Sequence, residues 1–210
     1  MAENSNYEFM KDKMASVFQK YDKDVMINKF NLTNDSDYLY ICFYARNYRI
    51  HRKTGCVSWS DDLFQTENPA GYNEAMTIYD VLCNAKEHCV LTHSWVNVNS
   101  LSSVLGGSLP RRNGFFYHEG SRFERKAVQF AQACEALRGR RKTGGDAAYE
   151  LDMFSFLPVL LRFWDSDEDF PASMQILLDS NVLDFMHYET LMFSITHLMK
   201  RLEEEMDHCK

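Results

Sequence analysis

Tyr7, Met10, Met14, Val17, Phe18 and Tyr21 recur at the three-to-four spacing of one helix face, which predicts an amphipathic helix from residue 7 to about 22. The run Tyr38 to Tyr44, YLYICFY, is apolar on both faces. Tyr48 and Ile50 then alternate with Arg49 and His51, the period of a half-buried strand. We expect a hairpin turning at Ala45-Arg46-Asn47 and a third short strand after Lys53-Thr54-Gly55. Residues 73 to 87 read as a second helix capped by Asn73, with Met76, Tyr79, Leu82 and Lys86 along one side. A loop or short extended piece around Trp95 follows.

Gly106, Gly107, Pro110 and Gly114 break the next stretch, so residues 105 to 118 are expected to be loop. Ser121-Arg122-Phe123-Glu124 has the pattern of a capping box and should start a third helix with the stripe Phe123, Ala127, Phe130, Cys134 and Leu137, stopped near Gly139. The segment 139–146, GRRKTGGD, has three glycines and no apolar residue. It is expected to be a mobile loop between a front and a back half. Beyond it AYELDMF, PVLLRFW and MQILLD read as strands, and the last helix begins near Tyr188 and runs through Leu191, Ile195, Leu198, Leu202 and Met206. The longest apolar strand signals place Leu161, Phe163, Trp164, Ile176 and Leu178 in the central core with that helix.

Strand runs mixed with helices give an α+β class: a mixed or antiparallel sheet with packed helices in a single domain, residues 1–210, since no linker or repeat forces two. With 45% hydrophobic and 14% aromatic residues, the chain is too apolar for disorder. A formal charge of −7 opposes a general nucleic-acid or anionic-membrane surface, because phosphate binding depends on clustered Lys and Arg. The start MAENSNYEFMKDK has no basic region followed by an apolar one, and no later stretch is long and apolar enough to span a bilayer, so we expect a cytoplasmic protein. Six cysteines are spread through apolar segments and never form CxxC, which favours free buried thiols over disulfides.

Few residues carry chemistry. Asp165, Asp167 and Asp169 alternate like a calcium loop, but Phe170 and Ile176 stand where that loop needs its glycine and bidentate glutamate, so the stretch reads as a solvated acidic turn with Phe170 and Pro171 folded back on the core. His88, Cys89 and His93 have a spacing a metal could use, yet no further ligand is near in sequence and no metal site is expected. Asp179 ends an apolar strand, where a carboxylate must either reach a pocket or cap the backbone of Asn181 or Val182. His187 and Glu189 sit at the start of the last helix, where an anion is favoured and an imidazole can act as base, or where both simply cap. Arg46, Arg49, His51, Arg52 and Lys53 gather in the hairpin, a patch suited to a small anionic ligand or to plain solvation. Gly106-Gly107-Ser108 is too short to mark a nucleotide site.

The stretch from Phe163 to Glu189, with its FW pair, acidic turn, DEDFPAS and the HYE start of the last helix, resembles an uncharacterised prokaryotic family, the domain of unknown function DUF3786. SWVNVNSL, residues 94–101, and Ile78-Tyr79-Asp80-Val81-Leu82 resemble its middle region. The resemblance implies a copy of the core domain without the cysteine-rich segment that some longer relatives append. It also implies a loose connection to anaerobic cofactor or one-carbon metabolism. It supplies no catalytic residue, and the cofactor stays unknown. Three readings remain open: a ligand-binding or accessory module, a small enzyme using Asp179, His187 or Glu189 for acid–base work, and a homodimeric interaction protein. Any small-molecule site is expected beside Asp179, His187 and Glu189, with Trp95 as an apolar wall and Arg49 and His51 as the basic alternative.

Overall fold

In the computed structural model, which describes residues 6–101, 116 and 118–208, the chain forms an α+β fold with two open antiparallel sheets. The residues gather into two compact units, one made of residues up to 90 with 183–197 and the other of 91–182 with 198 onward.

The first unit opens with α1 (Asn6–Phe18) and α2 (Lys23–Phe30). The helix expected to residue 22 stops at Phe18, and a second begins at Lys23, because the Asp22 carboxylate accepts the backbone N–H groups of Asp24 at 2.8 Å and Val25 at 3.4 Å and restarts the chain. Tyr7 and Tyr21 do not join a buried stripe: they are exposed, and Ala15 and Phe18 are the buried positions of α1. The first sheet follows in chain order: β1 (Thr33–Asn34), β2 (Tyr38–Phe43), β3 (Arg46–His51), β4 (Val57–Ser60) and β5 (Asn68–Pro69). The β2–β3 turn is one residue earlier than expected. Phe43 pairs with Arg46, so Tyr44 and Ala45 alone make the turn, with φ of 46° and 60°. Positive φ at both positions suits the right-handed twist of a two-residue hairpin.

Gly55, at φ 74°, lies against α1, and a Cβ there would stand 2.5 Å from the Ala15 carbonyl oxygen. α3 (Tyr72–Asn84) packs against α1. It begins two residues earlier than the Asn73 cap predicts, because the Glu74 carboxylate accepts the Gly71 N–H.

The second unit begins with β6 (Trp95–Asn97) and α4 (Val98–Leu101). The loop expected at 105–118 lies almost wholly outside the described residues. A short 3-10 helix (Glu119–Phe123) and α5 (Ala127–Ala136) come next. The expected capping box at Ser121–Glu124 does not form. Instead the Asp165 carboxylate, 38 and 40 residues away, accepts from Ala127 N at 3.1 Å and Arg125 N at 2.6 Å.

The second sheet has the order β6-β10-β9-β8-β7, from β7 (Arg140–Arg141), β8 (Ala147–Phe154), β9 (Leu157–Trp164) and β10 (Ser173–Asp179). Residues 139–146 are not a free loop between halves. β7 pairs with β8, the Arg140 guanidinium bridges Glu150 and Asp152, and a turn through Gly144 and Gly145 returns the chain to β8.

Strand alternation puts Val159, Leu161 and Phe163 on the buried face with Ile176 and Leu178. Trp164 is on the other face and only half-buried, so it does not belong to the central core. Phe170 is 70% exposed, and Pro171 is also exposed, so neither folds back on the core. A short α6 (Val182–Phe185), which the periodicity does not predict, precedes the 21-residue α7 (Tyr188–His208), which lies where expected.

Candidate functional site

The outer face of the first sheet carries Arg49 and His51 and a groove of about 570 Å³, whereas Arg46 falls on the buried beat of β3. Strand register sets Tyr40 opposite Arg49, Tyr38 opposite His51 and Cys42 opposite Asn47, so rings and polar groups alternate across one face. The Arg49 guanidinium stands 4.1 Å from the Tyr38 ring and 4.6 Å from the Phe64 ring. Its Nε and Nη2 donate to one Glu67 oxygen at 3.0 and 2.6 Å, and Ser58 donates to the same oxygen at 2.8 Å. Hydrogen bonds from Ser58 and then Arg49 hold the Glu67 carboxyl below its ordinary range. The His51 ring packs edge-on to Tyr38 at 5.2 Å, and its Nδ1 accepts from Lys53 N and Thr54 N. The basic patch is therefore largely committed: Arg49 to Glu67, Arg46 to the Trp59 ring at 3.9 Å and to Asp61, and Arg52 to Asn34.

One wall of the groove is a loop that sequence reading missed. Leu63 and Phe64 both have left-handed backbones, φ 60° and 63°, a costly conformation for residues with a Cβ. The loop is held by its base. Asp62 accepts from Ser60 Oγ at 2.6 Å, Thr66 Oγ1 at 2.6 Å and Thr66 N at 3.0 Å, while Ser60 Oγ accepts Phe64 N at 2.9 Å. Bonds from Ser60 and Thr66 push the Asp62 carboxyl down to about 2. The result leaves Leu63 83% exposed and sets Phe64 5.8 Å from the Tyr40 ring. An apolar pair inside the polar stretch DDLFQTEN was the available signal.

His187, also in the first unit, is gripped by Asp80 of α3. Asp80 accepts the His187 backbone N–H at 2.7 Å on one oxygen, and His187 Nδ1 lies 2.6 Å from the other, which also takes Asn84 Nδ2 at 2.8 Å. Asp80 is 6% exposed, whereas the His187 side chain is 70% exposed. An aspartate embedded in the apolar run Ile78–Leu82 was the legible clue to it. Glu189 is exposed on the first turn of α7. Deeper in the unit, Tyr48 Oη lies 3.2 Å from His197 Nε2, and His197 Nδ1 lies 3.4 Å from Glu74, all three buried.

Asp179 belongs to the second unit, and its register partner on β6 is Trp95, which is 38% exposed. The carboxylate accepts from Asn181 N (2.9 Å), Thr92 N (3.1 Å), Thr92 Oγ1 (2.9 Å) and His93 N (2.7 Å). Burial alone would raise this carboxyl, but the backbone bonds of Asn181 and Thr92 lead a set that lowers it. Four donors occupy it, so its geometry is that of a local cap extended to the 92–93 loop. Asp167 likewise closes its acidic turn on the N–H groups of Asp169 and Phe170.

Among the described residues, no three His, Cys, Asp or Glu side chains are placed to hold a metal ion, His88, Cys89 and His93 included. Cys42, Cys56, Cys83, Cys89 and Cys134 are not in disulfide bonds; Cys134 is buried and Cys56 exposed, and burial pushes the Cys83 thiol up to about 12. Cys209 and Gly106-Gly107-Ser108 lie outside the described residues. No described helix is long and apolar enough to cross a membrane.

The described residues form an α+β protein of two open antiparallel sheets. The chain belongs to the family described as Domain of unknown function (DUF3786), whose model matches residues 22–201. Neither the curated proteins nor the solved structures contain a match.

Proposed function

We propose that the first unit is a small-molecule-binding module and that its ligand lies in the groove on the outer face of the first sheet. The observation that carries this reading is the Leu63-Phe64 loop: two adjacent left-handed residues present an exposed leucine and an aromatic ring at the groove, and strain of this kind persists where a site uses it. A volume of about 570 Å³ suits a small ligand. Tyr40, Phe64 and Leu63 favour a flat apolar body, and Asn47, Thr33 and Cys42 offer polar contacts. Arg49 binds Glu67 through Nε and Nη2, which leaves Nη1 outside that ion pair and directs an acceptor group of the ligand, a carbonyl or carboxylate oxygen, to it. The ligand class is a planar aromatic molecule bearing such an oxygen.

The test uses 1-anilinonaphthalene-8-sulfonate as a probe of that chemistry, titrated by fluorescence at neutral pH. We expect one saturable site, with affinity reduced at least about fivefold in Phe64→Ala and in Leu63→Ser at unchanged melting temperature. Binding of equal affinity by wild type and both variants would overturn the assignment.

A further inference from the structure

Independently of the groove, we propose that His187 is a phosphoryl-accepting histidine, with Asp80 its positioning residue and an acyl phosphate or similar phosphoryl donor as its co-substrate. A carboxylate is acceptor-only, so in the neutral ring the 2.6 Å contact puts the imidazole proton on Nδ1 and leaves the lone pair on Nε2. Asp80 holds the residue twice, by ring and by backbone N–H, and Asn84 holds Asp80 from the same helix. Such bracing fixes the direction in which Nε2 points. A histidine that served only to cap α7 would turn its ring nitrogen to the helix N–H groups, whereas this ring turns to a buried carboxylate and leaves most of its surface to solvent.

The chemistry matches that arrangement. The Nε2 lone pair attacks phosphorus, the bond from phosphorus to the acyl oxygen breaks, and the carboxylate leaves with the electron pair. No proton need move: the neutral ring becomes an N-phosphoryl imidazolium that keeps its Nδ1 proton, and the positive charge it gains lies 2.6 Å from the Asp80 oxygen. A buried carboxylate bonded to Nδ1 stabilises the charged ring as it forms. The phosphoryl group would emerge beside the first turn of α7, where the helix dipole favours an anion over a metal cation. An exposed ring also fits a group delivered and collected by another molecule rather than a substrate enclosed in a pocket.

His88 and His93 provide controls within the chain: both residues are exposed, and among the described residues no carboxylate is paired with either ring. The full chain is incubated with acetyl phosphate, and label is located by phosphorus NMR and peptide mass spectrometry under conditions that preserve phosphohistidine. We expect phosphorylation at His187 Nε2 well ahead of His88 and His93, abolished at that position by His187→Gln and slowed by about tenfold or more in Asp80→Asn. Circular dichroism checks that both variants are folded. If Asp80→Asn proves unfolded, the comparison of His187 with His88 and His93 in the wild type decides alone. Equal labelling of the three histidines, no labelling of His187, or a folded Asp80→Asn as fast as wild type would each overturn the proposal and leave Asp80 as an anchor for α7.

Discussion

Tyr44 Oη lies 3.0 Å from Ser194 Oγ, so a turn residue with a left-handed backbone is moored by its own side chain in the interior of the first unit. Glycine would relieve the backbone but abandon the mooring and the stack of Tyr44 on Phe43 at 4.7 Å. Tyr44→Phe is expected to cost about 1 kcal/mol, one hydrogen bond. Tyr44→Ala should cost about 3–5 kcal/mol, as for other large buried rings. Tyr44→Gly should recover little of that. Urea denaturation of the three variants checks the order, and a glycine variant as stable as wild type would show that the strain dominates.

The buried chain Tyr48–His197–Glu74 should behave as one unit. His197→Ala removes the buried ring that lies between the Tyr48 hydroxyl and the Glu74 carboxylate, and we expect a loss of about 3–5 kcal/mol. Tyr48→Phe removes one hydrogen bond and should cost about 1 kcal/mol. In the His197→Ala background, Tyr48→Phe should cost less than it does alone. Strictly additive losses in a double-mutant cycle would count against coupling.

Phe163 and Trp164 are adjacent on β9 but face opposite ways, so their substitutions should separate. Phe163 is fully buried and packs 4.9 Å from the Phe130 ring; Phe163→Ala is expected to cost about 3–5 kcal/mol. Trp164→Ala should cost less than half as much. A larger effect at Trp164 in chemical denaturation would contradict the register of β9 on β10.

Asp62 makes the groove loop sensitive to acid in a definite direction. Its folded pKa, about 2, lies below the ordinary 3.8, so the carboxylate supports the loop fully above the ordinary value and loses that support as pH falls from about 4 through about 2. The Thr66 amide resonance should report this titration in an NMR pH series. Asp62→Asn should remove the transition, and a Thr66 amide that titrates near pH 4 in the wild type would contradict the tie.

Periodicity made the strands and the last helix legible, because their burial depends on alternation or on a long stripe that neighbouring residues display. Ile176 and Leu178 were placed correctly for that reason, whereas Trp164 was misplaced because hydrophobicity outweighed its position on the outward beat of the strand. The start of α5 could not be read locally, since its cap, Asp165, comes from a distant loop. The same holds for His187, whose place at a helix start was foreseen but whose partner lies 107 residues away on α3. The groove was half visible: Arg49 and His51 stood out as charge, but the Glu67 that engages Arg49 and the strained Leu63-Phe64 pair depend on how the 61–67 loop folds over the strand.

The aspartates that accept backbone N–H groups set a rule for substitution in this chain. Asp22, Asp80, Asp165, Asp167 and Asp179 each hold main-chain amides, several of them two or more. At such a position side-chain length matters as much as charge: glutamate keeps the charge but carries its oxygens one carbon–carbon bond too far, while asparagine keeps one acceptor in place. In natural or engineered variants of this domain, exchange with asparagine should therefore be milder at these sites than exchange with glutamate, the reverse of what matching by charge would suggest.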